Sequence, residues 1–221
     1  MTTTSENQEL VLHGYWRSGT SYRARIALNV KNVRYRQVTY DLRDGAHRSP
    51  NYLALNPQGL VPALECNGQF LTQSSAIIEW LEECYPSPPL LPNNPDHRAT
   101  VRAMTMIIAC DVHPLNNLRV LDKLRSHYAA DDASISEWIA GWIHPGFAAL
   151  EKLIATFGRG FAFGDQLTLA DCHLVPQVYS AERFNIDLTD YPRILAAVEK
   201  ARNLDPVRSA HPANQVDASS A

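Results

Sequence analysis

The stretch "YWRSGTSYRARIAL", residues 15–28, decides how the chain is read. It stands where the apolar run ELVLHG (9–14) gives way to a helical pattern, with a small polar cluster between. That order predicts a strand over 9–14 and a helix over 18–31 that turns Ala24, Ala27 and Leu28 to one face. Ser18 is placed to cap the helix, and the N–H groups of its first turn are left open to an anion. Arg23 and Arg25 stand two apart on that helix and face different ways, so at least one is expected in solvent or against a carboxylate. Arg17 precedes the helix, where its fork of donors suits an anionic substrate.

Working outward, residues 34–40 alternate as a second strand and 49–57 give a short helical piece. LVPALEC (60–66), an Asn67-Gly68 turn and QFLT (69–72) make a hairpin signal, with Val61-Pro62 starting its first strand. A helix follows over 73–85, on which Ala76, Ile77, Trp80, Leu81 and Cys84 recur at helical spacing and Ser74 is a candidate cap. Five prolines in PSPPLLPNNPD (86–96) read as a stiff linker. Beyond it the pattern is helical over roughly 97–128, 134–156, 168–184 and 191–202, ending in a polar tail. The expected domains are a small α/β unit over 8–86 and an all-helical unit over 97–214.

With 221 residues, 45% apolar and 19% charged, the chain has the composition of a soluble globular protein. A net charge of −3 gives no overall attraction to nucleic acid or anionic lipid, so any anion is bound by a local cluster. MTTTSENQEL has neither a basic start nor an apolar core, and no apolar run is long enough to span a membrane; neither a secretory leader nor a membrane segment is expected. Cys66, Cys84, Cys110 and Cys172 lie far apart, without metal-ligand spacing. They read as reduced thiols packed as small hydrophobes in a cytoplasmic protein, with no metal site.

In the second half, CDVHPLNNLRVL (110–121) carries Pro114 inside a helical pattern, which is expected to bend the helix. His113 and Asn117, four apart, share a helical face, and Asn116 with Arg119 form a neighbouring pair. Thr168-Leu169-Ala170-Asp171 reads as a capping box with a structural role. Arg183 sits where it can complement a helix C-terminus.

Taken together, "YWRSGTSYRARIAL", "NPQGLVPAL", "QSSAIIEWLEE", "HPLNNLRVL", "TLADCHLVPQV" and "ERFNIDLTDYP" resemble the zeta class of glutathione transferases, and its maleylacetoacetate and maleylpyruvate isomerases in particular. The resemblance runs over about residues 10–215. It implies a thioredoxin-like α/β N-terminal domain with a cis bond before Pro62, an all-α C-terminal domain, a homodimer, and glutathione as catalytic cofactor. Ser18 stands first in the family's Ser-Ser-Cys motif, and Gly19 and Thr20 depart from the rest of it. Whether Thr20 shares the thiolate contact with Ser18 or takes it over is left open.

By the same resemblance, glutathione is held by Val61 and Pro62, by Gln73 and Ser74 at its γ-glutamyl end, and by Gln58 near its glycyl end. Arg17, His113, Asn117, Arg119 and Arg183 line a substrate cleft that the family places between its domains. The expected activity is cis–trans isomerisation of a maleyl keto acid. A broader transferase or dehalogenase acting on α-halo acids, and a binding module without catalysis, stand as alternatives.

Overall fold

The computed structural model describes residues 9–218. They divide into two compact units, one formed by residues 9–90 with 204–218 and the other by residues 91–203.

The first unit is built on a four-stranded sheet of order β2-β1-β3-β4, from β1 (Leu10–Gly14), β2 (Tyr35–Thr39), β3 (Ala63–Cys66) and β4 (Gln69–Thr72). β1 pairs parallel with β2, Leu10 opposite Tyr35, and antiparallel with β3, Leu12 opposite Leu64. β1 is central and buried along its whole length, which suits its apolar Leu10-Val11-Leu12. Helices α1 (Gly19–Val30), α2 (Pro50–Leu55) and α3 (Ser74–Cys84) complete the order β-α-β-α-β-β-α, the thioredoxin-like arrangement.

Two details of the helices differ from expectation. Every residue of α1 from Ser21 to Leu28 is buried, not one face alone, because α1 packs on α3 and also on α9 (Asp205–Ala210). In α3 the inner face is carried by Ile77, Ile78 and Leu81, while Ala76 is exposed and Trp80 half-buried.

The domain boundary also needs correcting at its C-terminal end. The helical unit does not extend to 214, since the chain from Leu204 onward belongs to the first unit. Val207 and Ala210 of α9 are buried, and Asn29 of α1 donates to the Pro206 carbonyl at 3.0 Å. The proline-rich stretch is likewise anchored. Pro88 accepts a hydrogen bond from Lys31 Nζ at 2.7 Å, and Leu90 and Leu91 are buried.

The second unit contains α4 (Pro95–Met106), α5 (Leu118–Tyr128), α6 (Asp132–Phe157), α7 (Leu169–Arg183) and α8 (Pro192–Arg202). α6 buries Ile135, Ile139, Ile143, Phe147, Leu150 and Ile154, a stripe at helical spacing, and α7 is buried on all sides from Leu169 to Val178. The pattern read as one helix over 97–128 is broken. After α4 come a π-helical turn (Ile107–Val112) and then a 3₁₀ turn (Pro114–Asn116), where Pro114 has no N–H to continue the helical ladder.

Candidate active site

Ser18 has extended backbone and caps α1, its Oγ accepting the N–H of Ser21 at 3.2 Å. The first backbone bond of the helix runs from Tyr22 N–H to Ser18 O, which leaves Gly19 and Thr20 at the open end of the N–H array. Thr20 Oγ1 donates to the Val61 carbonyl at 2.8 Å, and Ser18 Oγ lies 2.9 Å from Thr20 Oγ1. A threonine hydroxyl has one proton, so the Ser18–Thr20 bond has only one possible direction: Ser18 donates to Thr20, and Thr20 to Val61. The Ser18 proton can therefore be turned to an incoming acceptor while Thr20 stays fixed.

The loop that receives Thr20 is itself braced. Leu60 O accepts hydrogen bonds from Tyr52 Oη and Asn56 Nδ2, both at 2.6 Å, and burial pushes the Tyr52 phenol up to about 12. Sequence reasoning missed both braces, because a tyrosine and an asparagine in a short helical piece carry no distinguishing pattern. Gly59 (φ +60°) makes the turn, where a Cβ would stand 3.2 Å from Leu53 Cδ2 and 3.3 Å from the His47 carbonyl. The Val61-Pro62 bond is cis. These two residues precede β3 and do not start it. Pro62 has no N–H for a ladder, and Thr20 already occupies the Val61 carbonyl.

Gln73 stands at the N-terminus of α3 with φ 69° and ψ 114°, a backbone conformation rare outside glycine. Ser74 does not cap the helix as expected. It is the first helical residue, it is buried, and its Oγ accepts from Arg23 Nη1 at 3.5 Å. Gln73 Nε2 donates to Gln58 Oε1 at 2.7 Å. The two amides therefore lie side by side at the start of α3.

The arginines separate clearly. Arg23 and Arg25 are both buried, so neither faces solvent, and Arg25 donates to three backbone carbonyls. Its Nε donates to Ala210 O at 3.0 Å, Nη1 to Tyr15 O at 3.4 Å and Nη2 to Trp16 O at 2.9 Å. Arg17 is half-exposed, its guanidinium 5.4 Å from the centre of the Trp16 ring.

In the second unit, the break at Pro114 removes the helical face that His113 and Asn117 were expected to share. His113 ends the π-helical turn, with its N–H on Ile108 O at 2.9 Å, while Asn117 is extended and caps α5 through Oδ1 to Arg119 N–H at 3.2 Å. Arg119 is exposed, as is Arg183. The Arg183 guanidinium lies 5.9 Å from the Tyr179 ring centre and 5.5 Å from that of Phe184. Asp171 is buried, and its carboxylate accepts the N–H groups of Ala162 and Thr168, each at 2.8 Å, and the Thr168 hydroxyl at 2.9 Å. Of the cysteines, Cys66 and Cys172 are buried, but Cys110 is exposed and does not pack as a core residue; all four are free. Among the described residues no cluster suits a metal ion, and no helix is long and apolar enough to cross a membrane.

Models of the glutathione S-transferase N-terminal and C-terminal domains match residues 17–84 and 118–200. The chain belongs to the glutathione S-transferase family. It is 52% identical over 209 residues to a maleylpyruvate isomerase from Ralstonia sp, covering 93% of this chain and 98% of the relative. A solved holo structure of maleylpyruvate isomerase, a bacterial glutathione S-transferase of the zeta class, superposes with a TM-score of 0.92 at 51% identity, over 94% of this chain and 99% of the other. A maleylacetoacetate isomerase from Anaeromyxobacter dehalogenans, solved with glutathione in its active site, gives a TM-score of 0.87 at 38% identity, over 97% and 100%.

As a glutathione S-transferase chain of zeta type, this one carries Gly19 and Thr20 after Ser18. With no cysteine there, the helix N-terminus offers hydroxyl and backbone donors but no protein thiol.

Proposed function

We propose that this chain is a glutathione-dependent cis–trans isomerase that converts a maleyl keto acid, maleylpyruvate or maleylacetoacetate, to its fumaryl isomer. The observation that carries the reading is the directed hydrogen-bond series from Ser18 through Thr20 to Val61, which leaves one redirectable proton at the open N-terminus of α1. Glutathione, when bound, would supply the thiolate nucleophile whose reversible addition frees the cis bond to rotate.

Ser18 would turn its Oγ–H from Thr20 to the glutathione sulfur, and the N–H end of α1 would favour the negative charge there. Lowering a thiol from ~8.5 by about two units requires ~2.7 kcal/mol, within reach of one hydroxyl and a helix terminus. Val61 and Pro62 present the edge ahead of β3, Gln73 and Ser74 at the start of α3 offer donors and acceptors to the γ-glutamyl end of the tripeptide, and Gln58 stands toward its glycyl end. Arg17 pairs with a substrate carboxylate. His113, Asn117, Arg119 and Arg183 are the second unit's candidates for the rest of the substrate, carried by family resemblance. On the same ground the enzyme works as a cytoplasmic homodimer, which a solution mass of twice 24.7 kDa tests.

Stoichiometry tests the activity. With a maleyl keto acid and a trace of glutathione, fumaryl product is expected to exceed glutathione many-fold, because an isomerase returns its thiol. Consumption of glutathione one for one would make this a conjugating transferase and overturn the isomerase reading.

A further inference from the structure

The segment between β1 and α1 carries Arg17 and Ser18 yet has no strand partner to set its path. Its backbone groups are satisfied from elsewhere in the first unit. Ser18 N–H closes a turn on Tyr15 O at 3.1 Å, and Tyr15 N–H reaches Ser21 Oγ at 3.3 Å. Trp16, immediately before Arg17, is held on both sides of its backbone by charged side chains. Its carbonyl accepts from Arg25 Nη2 at 2.9 Å, and its N–H donates to Asp217 Oδ2 at 2.9 Å. Asp217 comes from the far end of the sequence and is half-buried.

The segment that presents Asp217 is firmly placed. Gln215 Nε2 donates to Ser209 O at 2.9 Å and His211 O at 2.8 Å, and Gln215 Oε1 accepts from Gln37 of β2 at 3.0 Å. Arg25 joins the two ends, since the guanidinium that grips Tyr15 and Trp16 also holds the Ala210 carbonyl of α9. A carboxylate accepting a backbone N–H forms a charge-assisted bond, stronger and more directional than a neutral one. This acceptor fixes the peptide one residue ahead of Arg17 and two ahead of Ser18.

We infer that Asp217 is a positioning residue for the reaction, setting through Trp16 the place of Ser18 Oγ and of the Arg17 guanidinium. The inference rests on the reading of Ser18 as the donor to the glutathione thiol. A displaced donor weakens catalysis steeply while leaving most binding contacts intact.

The test compares the full-length protein with Asp217→Ala, Asp217→Asn and Ser18→Ala. The readouts are melting temperature, glutathione affinity, the ultraviolet thiolate signal of the glutathione complex as a function of pH, and kcat with a maleyl keto acid. Asp217→Ala is expected to lower kcat by about 5- to 10-fold and displace the thiolate titration upward, with melting temperature and glutathione affinity close to wild type. Asp217→Asn keeps an oxygen that can accept the Trp16 N–H and is expected to restore most of the loss.

Wild-type kcat and thiolate titration in Asp217→Ala would overturn the inference. So would a loss of kcat that merely follows a loss of folding or of glutathione affinity, or an Asp217→Asn variant no better than alanine. Ser18→Ala separates the two readings. If it leaves the thiolate titration unmoved, the Ser18 assignment fails and this inference with it; if it abolishes the signal while Asp217→Ala changes nothing, only the inference fails.

Discussion

Thr20 donates its one hydroxyl proton to the Val61 carbonyl, 2.8 Å away, and so ties the first turn of α1 to the loop ahead of β3. The same bond commits Thr20's proton, which supports the proposal that Ser18 is the donor to the sulfur. Ser18→Ala is expected to lower kcat at least ~10-fold, the effect of one donor to a charged group, with glutathione affinity changed by less than about 2-fold. Thr20→Val is expected to spare kcat by comparison and to weaken glutathione binding, because the Val61 edge loses its anchor. Steady-state kinetics and calorimetric titration of both variants check this. The reverse pattern would assign the donor to Thr20.

On the proposed function, Arg17 meets substrate, while Arg25 is buried and holds the fold. Arg17→Met is expected to lower kcat/KM for a dianionic maleyl acid by ~30-fold, as for a lost partner in a desolvated charge pair, with no change in melting temperature. Arg183→Met is expected to share that selectivity. Glutathione conjugation to an uncharged chloronitrobenzene serves as the control substrate. Arg25→Met instead strips donors from the carbonyls of Tyr15, Trp16 and Ala210 and is expected to cost about 3 kcal/mol of stability. Equal losses on charged and neutral substrates in the Arg17 and Arg183 variants would withdraw them from the substrate site.

Local pattern carried the order of elements in the first unit and the helical character of the second, because hydrophobic period and turn chemistry are written residue by residue. Features set by distant segments were not legible. The burial of α1 on every side depends on α9, far along the chain, and nothing in "RARIAL" announces that Arg25 will meet the Ala210 carbonyl. At the site, the helix start at Ser18 could be read from capping preference, but the direction of the Ser18–Thr20 bond depends on the carbonyl of Val61. The positive φ of Gln73 and its contact with Gln58 have no sequence signal, since glutamine does not favour that backbone. The break after α4 was half legible: Pro114 marked a disturbance, while the π-helical turn before it and the extended Asn117 after it depend on packing in the second unit.

A buried ion pair closes the first unit around its proline-rich exit. Lys31 Nζ lies 2.5 Å from Glu82 Oε2, and the same carboxylate oxygen accepts the Leu90 N–H at 2.9 Å. Lys31→Met leaves that carboxylate buried without its cation and is expected to destabilise the protein by about 3–5 kcal/mol. The double variant Lys31→Met/Glu82→Leu removes the stranded charge and is expected to recover part of the loss, though Leu90 N–H and the Pro88 carbonyl then lack their side-chain partners. Denaturant unfolding of the singles and the double measures the coupling. Additive losses would mean that the pair contributes no interaction of its own.

Asp171 gives the second unit a pH dependence whose sign follows from its burial. Loss of solvent pushes its carboxyl up to about 6, against the opposing pull of the Ala162 and Thr168 donors. The protonated form is readily housed, because the Thr168 hydroxyl can reverse and accept from the acid. A carboxyl with a raised folded pKa binds its proton more tightly in the native state than in the unfolded chain, where it titrates near ~3.9. Its contribution to stability is therefore fully present below about pH 4, falls as pH rises through about 6, and is level above, a total of roughly 3 kcal/mol. Asp171→Asn removes the titration. The stability of wild type minus that of Asp171→Asn, measured by denaturant unfolding from acid to neutral pH, is expected to decline across this window. A difference that grows with pH would mean that the three donors outweigh burial and that Asp171 works as an ionised cap.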